Sequence, residues 1–351
     1  RMDALIKNVR IASTEGLSTP VDVLIEHGAI KSIEPEIVQP GATVYQTKNG
    51  YLAPGLFALH TRSGDPGEEH KEDLESLSAA ALAGGITGLT ISPFTNPVTD
   101  HKASINYLQK NAAALDVDMY ALGAVSKGLQ GENLAEIYDM HRQGAVAFTD
   151  EKQSIQHPDL LKRALLYTQP FKGLVMQFPN TASIAQNGVM HEGPISTSLG
   201  LKAIPALAEE LMVSRDLYLA EYCNSPIHFA TISTKGSVDL IRKARAKGIA
   251  VSCDVALANL IWTDDQLTEF DTNYKLLPPL RSEMHRIALI EGLKDGTIDC
   301  ISCDHLPENI ENKACEFDFA AFGMSNLETF IALATQQLSN DFSFTQLIHL
   351  M

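Results

Sequence analysis

The hydrophobic pattern of the chain changes near residue 51. Before it, β-branched and apolar residues come in short runs at 5–11, 21–25, 29–33 and 42–45, parted by Gly, Pro and charged turns. That texture predicts a small antiparallel β unit over residues 1–50. After it, eight short apolar runs (56–60, 88–92, 118–125, 145–149, 173–177, 227–232, 250–255 and 299–304) alternate with amphipathic stretches such as 72–84, 134–142, 205–222 and 238–247. Eight strands alternating with helices predict a (β/α)8 TIM barrel over residues 51–351, with a doubly wound open sheet as the alternative. No Gly-x-Gly-x-x-Gly or phosphate-cradling glycine loop sits at a strand–helix junction. The last residues, 347–351, fall inside an uncapped apolar helical pattern, which suggests further chain beyond them.

Composition narrows the function classes. The chain has 351 residues, 45% hydrophobic and 20% charged, enough for a large barrel and a small companion. A net charge of -16 argues against a nucleic-acid partner, because such binding rests on Lys and Arg neutralising phosphates. No apolar run reaches the ~20 residues a membrane span needs, and no basic-then-apolar leader opens the chain. The expected location is therefore the cytoplasm, with the five cysteines as reduced thiols. Cys300-x-x-Cys303 lies in a predicted strand, where residues three apart face opposite sides, so it is not read as a metal knuckle.

Several motifs, in order, carry a family resemblance. They begin with Leu52-Ala53-Pro54-Gly55-Leu56-Phe57-Ala58-Leu59-His60 and Asp65-Pro66-Gly67, then His70-Lys71-Glu72-Asp73 and Thr95-Asn96-Pro97-Val98-Thr99-Asp100. Gly144-Ala145-Val146-Ala147-Phe148-Thr149-Asp150, Pro278-Pro279-Leu280-Arg281 and Cys303-Asp304-His305 follow. Together they resemble the dihydroorotases of the amidohydrolase superfamily, with hydantoinases as more distant relatives. The resemblance implies a TIM barrel beside a small β-sandwich built from both chain ends, whose C-terminal strands this sequence does not include. It also implies hydrolysis or closure of a cyclic amide at two zinc ions, with an aspartate on strand 8 moving the proton.

Carried over residue by residue, the resemblance places the metal ligands at His60, Arg62, Asp150 (or Glu151), Gln177, Thr231 and Asp304. Arg62 has no lone pair to offer a metal and keeps its charge, while Gln177 and Thr231 stand where the family has histidines. His228 is not expected to substitute for a ligand, because three residues along a strand reverses the facing. The positions that grip the substrate's polar groups align with Gly64, Phe94 and Leu277, beside His305. Asp304 holds the general-base position. Arg62 is expected to pair with Asp304 and with Asp150 or Glu151, and His191 to be a loop histidine.

The sequence therefore predicts a dihydroorotase-like protein that binds no metal and does not catalyse. Such a protein would be kept as a homodimer or as a partner of aspartate transcarbamoylase. An active cyclic amidohydrolase and a small-molecule binding module remain as alternatives.

Overall fold

The computed structural model describes residues 3–351. Five strands open it: β1 (Ala4–Ser13), β2 (Gly16–Leu17), β3 (Val21–Glu26), β4 (Ala29–Glu34) and β5 (Thr43–Leu52). The order is β2-β1-β3-β4, with β5 on the other side of β1. Leu5 and Leu24, facing partners across β1 and β3, form a small core with Ile37. The antiparallel expectation fails at one seam, where β5 runs parallel to β1 in the register Leu5↔Val44. The link after β4 crosses from one sheet edge to the other, so β5 arrives pointing the same way as β1.

The chain divides into two compact units, one holding residues up to 56 with 334–351 and the other residues 57–333. The barrel expected to run to residue 351 thus gives up its last stretch. Helix Phe344–Leu350, capped by Ser343, packs on β1, and the Phe344 ring lies 5.0 Å from that of Tyr51.

The second unit is the barrel. Its strands are β6 (Leu56–Thr61), β7 (Ile86–Ile91), β8 (Asp118–Gly123), β9 (Ala147–Thr149) and β10 (Val175–Gln177). The set continues, past the two-residue strands β11 (Met190–His191) and β12 (Ala203–Ile204), with β13 (Ile227–Phe229), β14 (Val251–Ala256) and β15 (Cys300–Ser302). The eight pair in that order, parallel wherever register is assigned. Just past β15 the chain returns to β6. Thr61 bridges His305 in parallel, Asp304 N–H donates to the Leu59 carbonyl (3.2 Å) and Arg62 N–H to that of His305 (2.9 Å). The sheet closes on itself, which removes the open-sheet alternative. Helices on the outer side bury both faces of the strands, so β9, β10 and β13 are buried at every position.

Candidate active site

At the C-terminal ends of the strands, His60, Glu151, Thr231 and Asp304 all take left-handed backbone conformations, with φ of 60°, 54°, 55° and 50°. L-residues adopt this region at a cost of about 1–3 kcal/mol each, and such strain gathers at functional positions. It also breaks strand alternation. The His228 imidazole turns toward His60: its Nε2 lies 2.8 Å from Asp254 Oδ2, the oxygen that His60 Nε2 meets at 2.7 Å, while Thr231 gives Oδ1 only its backbone N–H (3.1 Å). Facing by parity therefore misplaced His228. The strand ends at Phe229, and parity does not extend past it.

Two cations sit at this mouth. Arg62 meets the Glu151 carboxylate at 2.6 Å, its guanidinium 4.0 Å above the Phe94 ring. The Lys152 ammonium lies 2.8 Å from Asp304 Oδ1, donates to the Thr231 hydroxyl at 3.1 Å, and sits 4.7 Å from the centre of the Phe178 ring. Below them, His60 Nε2 and His228 Nε2 flank one oxygen of the fully buried Asp254, at 2.7 and 2.8 Å. His228 Nδ1 meets the Ser252 hydroxyl at 2.8 Å.

Burial and charge compete at each group. Burial alone would lower the His60 pKa, but the Asp254 carboxylate raises it above the ordinary value. Burial pushes Asp254 up, and the two imidazoles bring it well below the carboxylate range. Glu151 is also lowered, because Arg62 and Lys152 outweigh its desolvation. At Asp304 burial wins over Lys152 and His60, and the pKa is raised.

The expected site residues are only partly brought together. His60, Arg62, Thr231 and Asp304 meet at the mouth, and of the two strand-4 carboxylates it is Glu151 that joins them. Asp150 turns aside to accept the N–H groups of Val125 and Ser126 at 2.9 Å each, and burial lifts its pKa to about 6. Arg62 pairs with Glu151 but not with Asp304, whose partner is Lys152. Gln177 faces away from the mouth: it bonds Asp216 Oδ2 (3.1 Å) on helix Ala206–Cys223 and the backbone of Ile155, while Phe178 approaches Lys152.

Of the substrate-position remnants, only Phe94 lies against the ion pairs. Gly64 is walled in, since a Cβ there would sit 2.0 Å from the Glu68 carbonyl oxygen. Leu277 packs on Ala185, Ile204 and Ala208. His305 is held between Glu72 (2.8 Å) and the Asn326 N–H (3.1 Å). His191 lies in β11, buried against Arg281 (3.2 Å), and burial lowers its pKa to about 3.

Sequence reasoning missed Lys152, Asp254 and Phe178. Asp254 had a signal, a carboxylate inside the apolar run 250–255. Lys152 had a weaker one, a cation directly after two acids at a strand end.

Among the described residues, one group of donors lies close enough to hold a metal ion: His60, His228 and Asp254. Both histidines already spend a ring nitrogen on the Asp254 carboxylate, and the Lys152 ammonium is near enough to act on His60. The expected carboxylates, Glu151 and Asp304, are engaged by cations. These residues do not fit the two-metal centre that the resemblance implies.

The comparisons agree with the motifs. A family described as dihydro-orotase-like matches residues 50–237. The dihydroorotase of Geobacter sulfurreducens is 40% identical over 336 residues, covering 95% of this chain and 79% of its own. That of Acetivibrio thermocellus is 42% identical over 320 residues, covering 91% and 75%. The chain belongs to the dihydroorotase-like family. The chain shares its fold with solved hydantoinases. L-hydantoinase (dihydropyrimidinase) from Arthrobacter aurescens gives a TM-score of 0.86 at 23% identity, over 100% of this chain and 81% of its own. A D-hydantoinase gives 0.83 at 21%, over 100% and 80%. At such identities the likeness is one of fold.

Proposed function

We propose that this dihydroorotase-like protein serves pyrimidine metabolism in the cytoplasm without turning over a cyclic amide. The observation that carries the reading is Lys152 on Asp304. The carboxylate at the family's general-base position faces a built-in ammonium, and Arg62 holds Glu151 in the same way. On this reading both carboxylates spend their charge on built-in cations and not on a metal. The role left is assembly, as a homodimer or with aspartate transcarbamoylase. Such a role would keep the fold under selection.

A second reading, an active dihydroorotase, is favoured by the relatives of that name at about 40% identity. One experiment separates the two: metal analysis of the purified chain, with turnover of dihydroorotate followed in both directions. We expect no stoichiometric zinc and no turnover, and none from Arg62→His, because groups that act as a unit are not restored singly. Zinc-dependent turnover by the unaltered chain would falsify the proposal and leave the second reading. The assembly role is tested separately by co-elution with aspartate transcarbamoylase of the same organism.

A further inference from the structure

Past β15 the chain makes a long excursion, residues 306–326, that holds one short helix, Ile310–Lys313, before helix Phe330–Gln337 begins. Two lysines stitch it down. Lys275, only 2% exposed, donates its ammonium to the carbonyls of Phe317 (2.7 Å) and Asp318 (3.0 Å). Lys313 reaches along the excursion itself to the carbonyls of Ala321 and Gly323, at 2.9 Å each. Lys275 is sealed in and acts as a clamp. Lys313 differs, because it is half-buried and lines a cavity of about 350 Å³ with Trp262, Asn273, Met324, Ser325 and Leu333. That volume falls in the range of small-molecule sites, ~300–1,000 Å³.

The two carbonyls fix the nitrogen's geometry. A lysine nitrogen has four tetrahedral positions, and Cε takes one. A carbonyl oxygen can only accept, so the positions facing Ala321 and Gly323 must hold N–H bonds. The last position carries either the third proton or a lone pair. Losing that proton therefore keeps both clamp bonds and leaves a lone pair in a set direction. The surroundings favour the loss. Burial pulls the Lys313 pKa down, the Glu308 and Asp271 carboxylates and Cys315 oppose it, the Lys275 ammonium adds to it, and the balance is about 8. An amine desolvated beside another cation is a nucleophile.

We propose that Lys313 is an acylation site, taking an acyl group from small acyl phosphates that enter this cavity. Its nitrogen attacks the acyl carbonyl carbon and the carbon–oxygen bond to phosphate breaks. The phosphate leaves with that electron pair and with the proton the nitrogen sheds. The product is an amide with one N–H, and one N–H cannot serve two carbonyls. Acylation thus costs Ala321 or Gly323 its partner and loosens the excursion, since an unpaired carbonyl destabilises the closed form. The inference stands whether or not the barrel mouth is catalytic.

The test treats the whole chain with acetyl phosphate at pH values on both sides of 8 and follows each lysine by peptide mass spectrometry. Lys313 should be acetylated about tenfold faster than the exposed Lys48 and Lys110, because a ~100-fold gain in neutral amine outweighs the lower basicity of its nitrogen. Its rate should level off above pH 8, while theirs keep climbing. Backbone N–H groups across residues 314–323 should then exchange with solvent faster than in the untreated chain. Lys313→Arg keeps donors for both carbonyls, so under the same treatment its exchange there should stay slow, which separates this site from acetylation elsewhere. Labelling of Lys313 no faster than that of Lys48 and Lys110, or a rate that climbs with theirs, would overturn the assignment of the site. Exchange that acetylation leaves unchanged, or raises equally in Lys313→Arg, would overturn its effect on the excursion. Should the variant fail to fold, the labelling of the unaltered chain decides alone.

Discussion

Lys152 follows Glu151 directly, so the left-handed turn that presents the carboxylate to Arg62 also sends the next side chain toward Asp304. Removing one partner of a buried ion pair leaves a charge with no water and no counter-charge. Lys152→Met should therefore destabilise by about 3–5 kcal/mol in urea unfolding, and adding Asp304→Asn should recover much of that loss. Independent, additive losses would show that the two residues are not coupled. Asp216 makes a prediction about pH. It lies on the buried face of helix Ala206–Cys223 against Arg215 (2.6 Å) and Gln177, and burial raises its pKa from 3.8 to about 6. The folded state then holds a proton that the unfolded chain releases, so this group's contribution is complete below pH 3.8 and fades as pH rises to about 6. Stability of Asp216→Asn minus that of the unaltered chain should grow by on the order of 2–3 kcal/mol between pH 4 and 7. A flat difference would mean that Arg215 holds the carboxylate ionised throughout. Single residues were legible where they broke a family motif, as Arg62 did. They were not legible where, like Lys152 and Asp254, their meaning lies in a neighbour distant along the chain.

Elements were easier to read than their ends. All eight barrel strands fall where the apolar runs put them, because a parallel strand buried on both faces leaves an unbroken hydrophobic signal. The strand termini are another matter, since a left-handed residue such as Thr231 leaves no mark in hydrophobicity and resets which way the following side chains point. Strand direction is likewise invisible to a period-two pattern, hence the parallel β1–β5 seam. The loop after β6 closes tightly on a glycine. Gly64 donates its N–H to the Glu72 carbonyl (2.7 Å) and accepts from Glu68 N–H (2.6 Å), leaving no room for a Cβ. Gly64→Ala should cost about 1–3 kcal/mol by overpacking, and Gly64→Arg should lower soluble yield. Unchanged melting of the alanine variant would show that the loop moves aside freely.

At the scale of the whole chain, 43 acidic against 27 basic side chains produce long-range self-repulsion. Salt screens that repulsion, shortening the Debye length from ~30 Å at 0.01 M to ~3 Å at 1 M, while buried pairs at the barrel mouth are shielded from it. The melting temperature should rise with sodium chloride, and a fall would show that exposed ion pairs matter more than net charge. Among the described residues no helix is long and apolar enough to cross a membrane. The interlocked charges of the mouth also bear on ancestry. Arg62, Lys152, Glu151 and Asp304 are matched in pairs, so replacing either cation strands a buried carboxylate. On the non-catalytic reading proposed above, such pairing would set a fitness valley between this chain and its hydrolytic relatives, since no single substitution relieves both pairs at once.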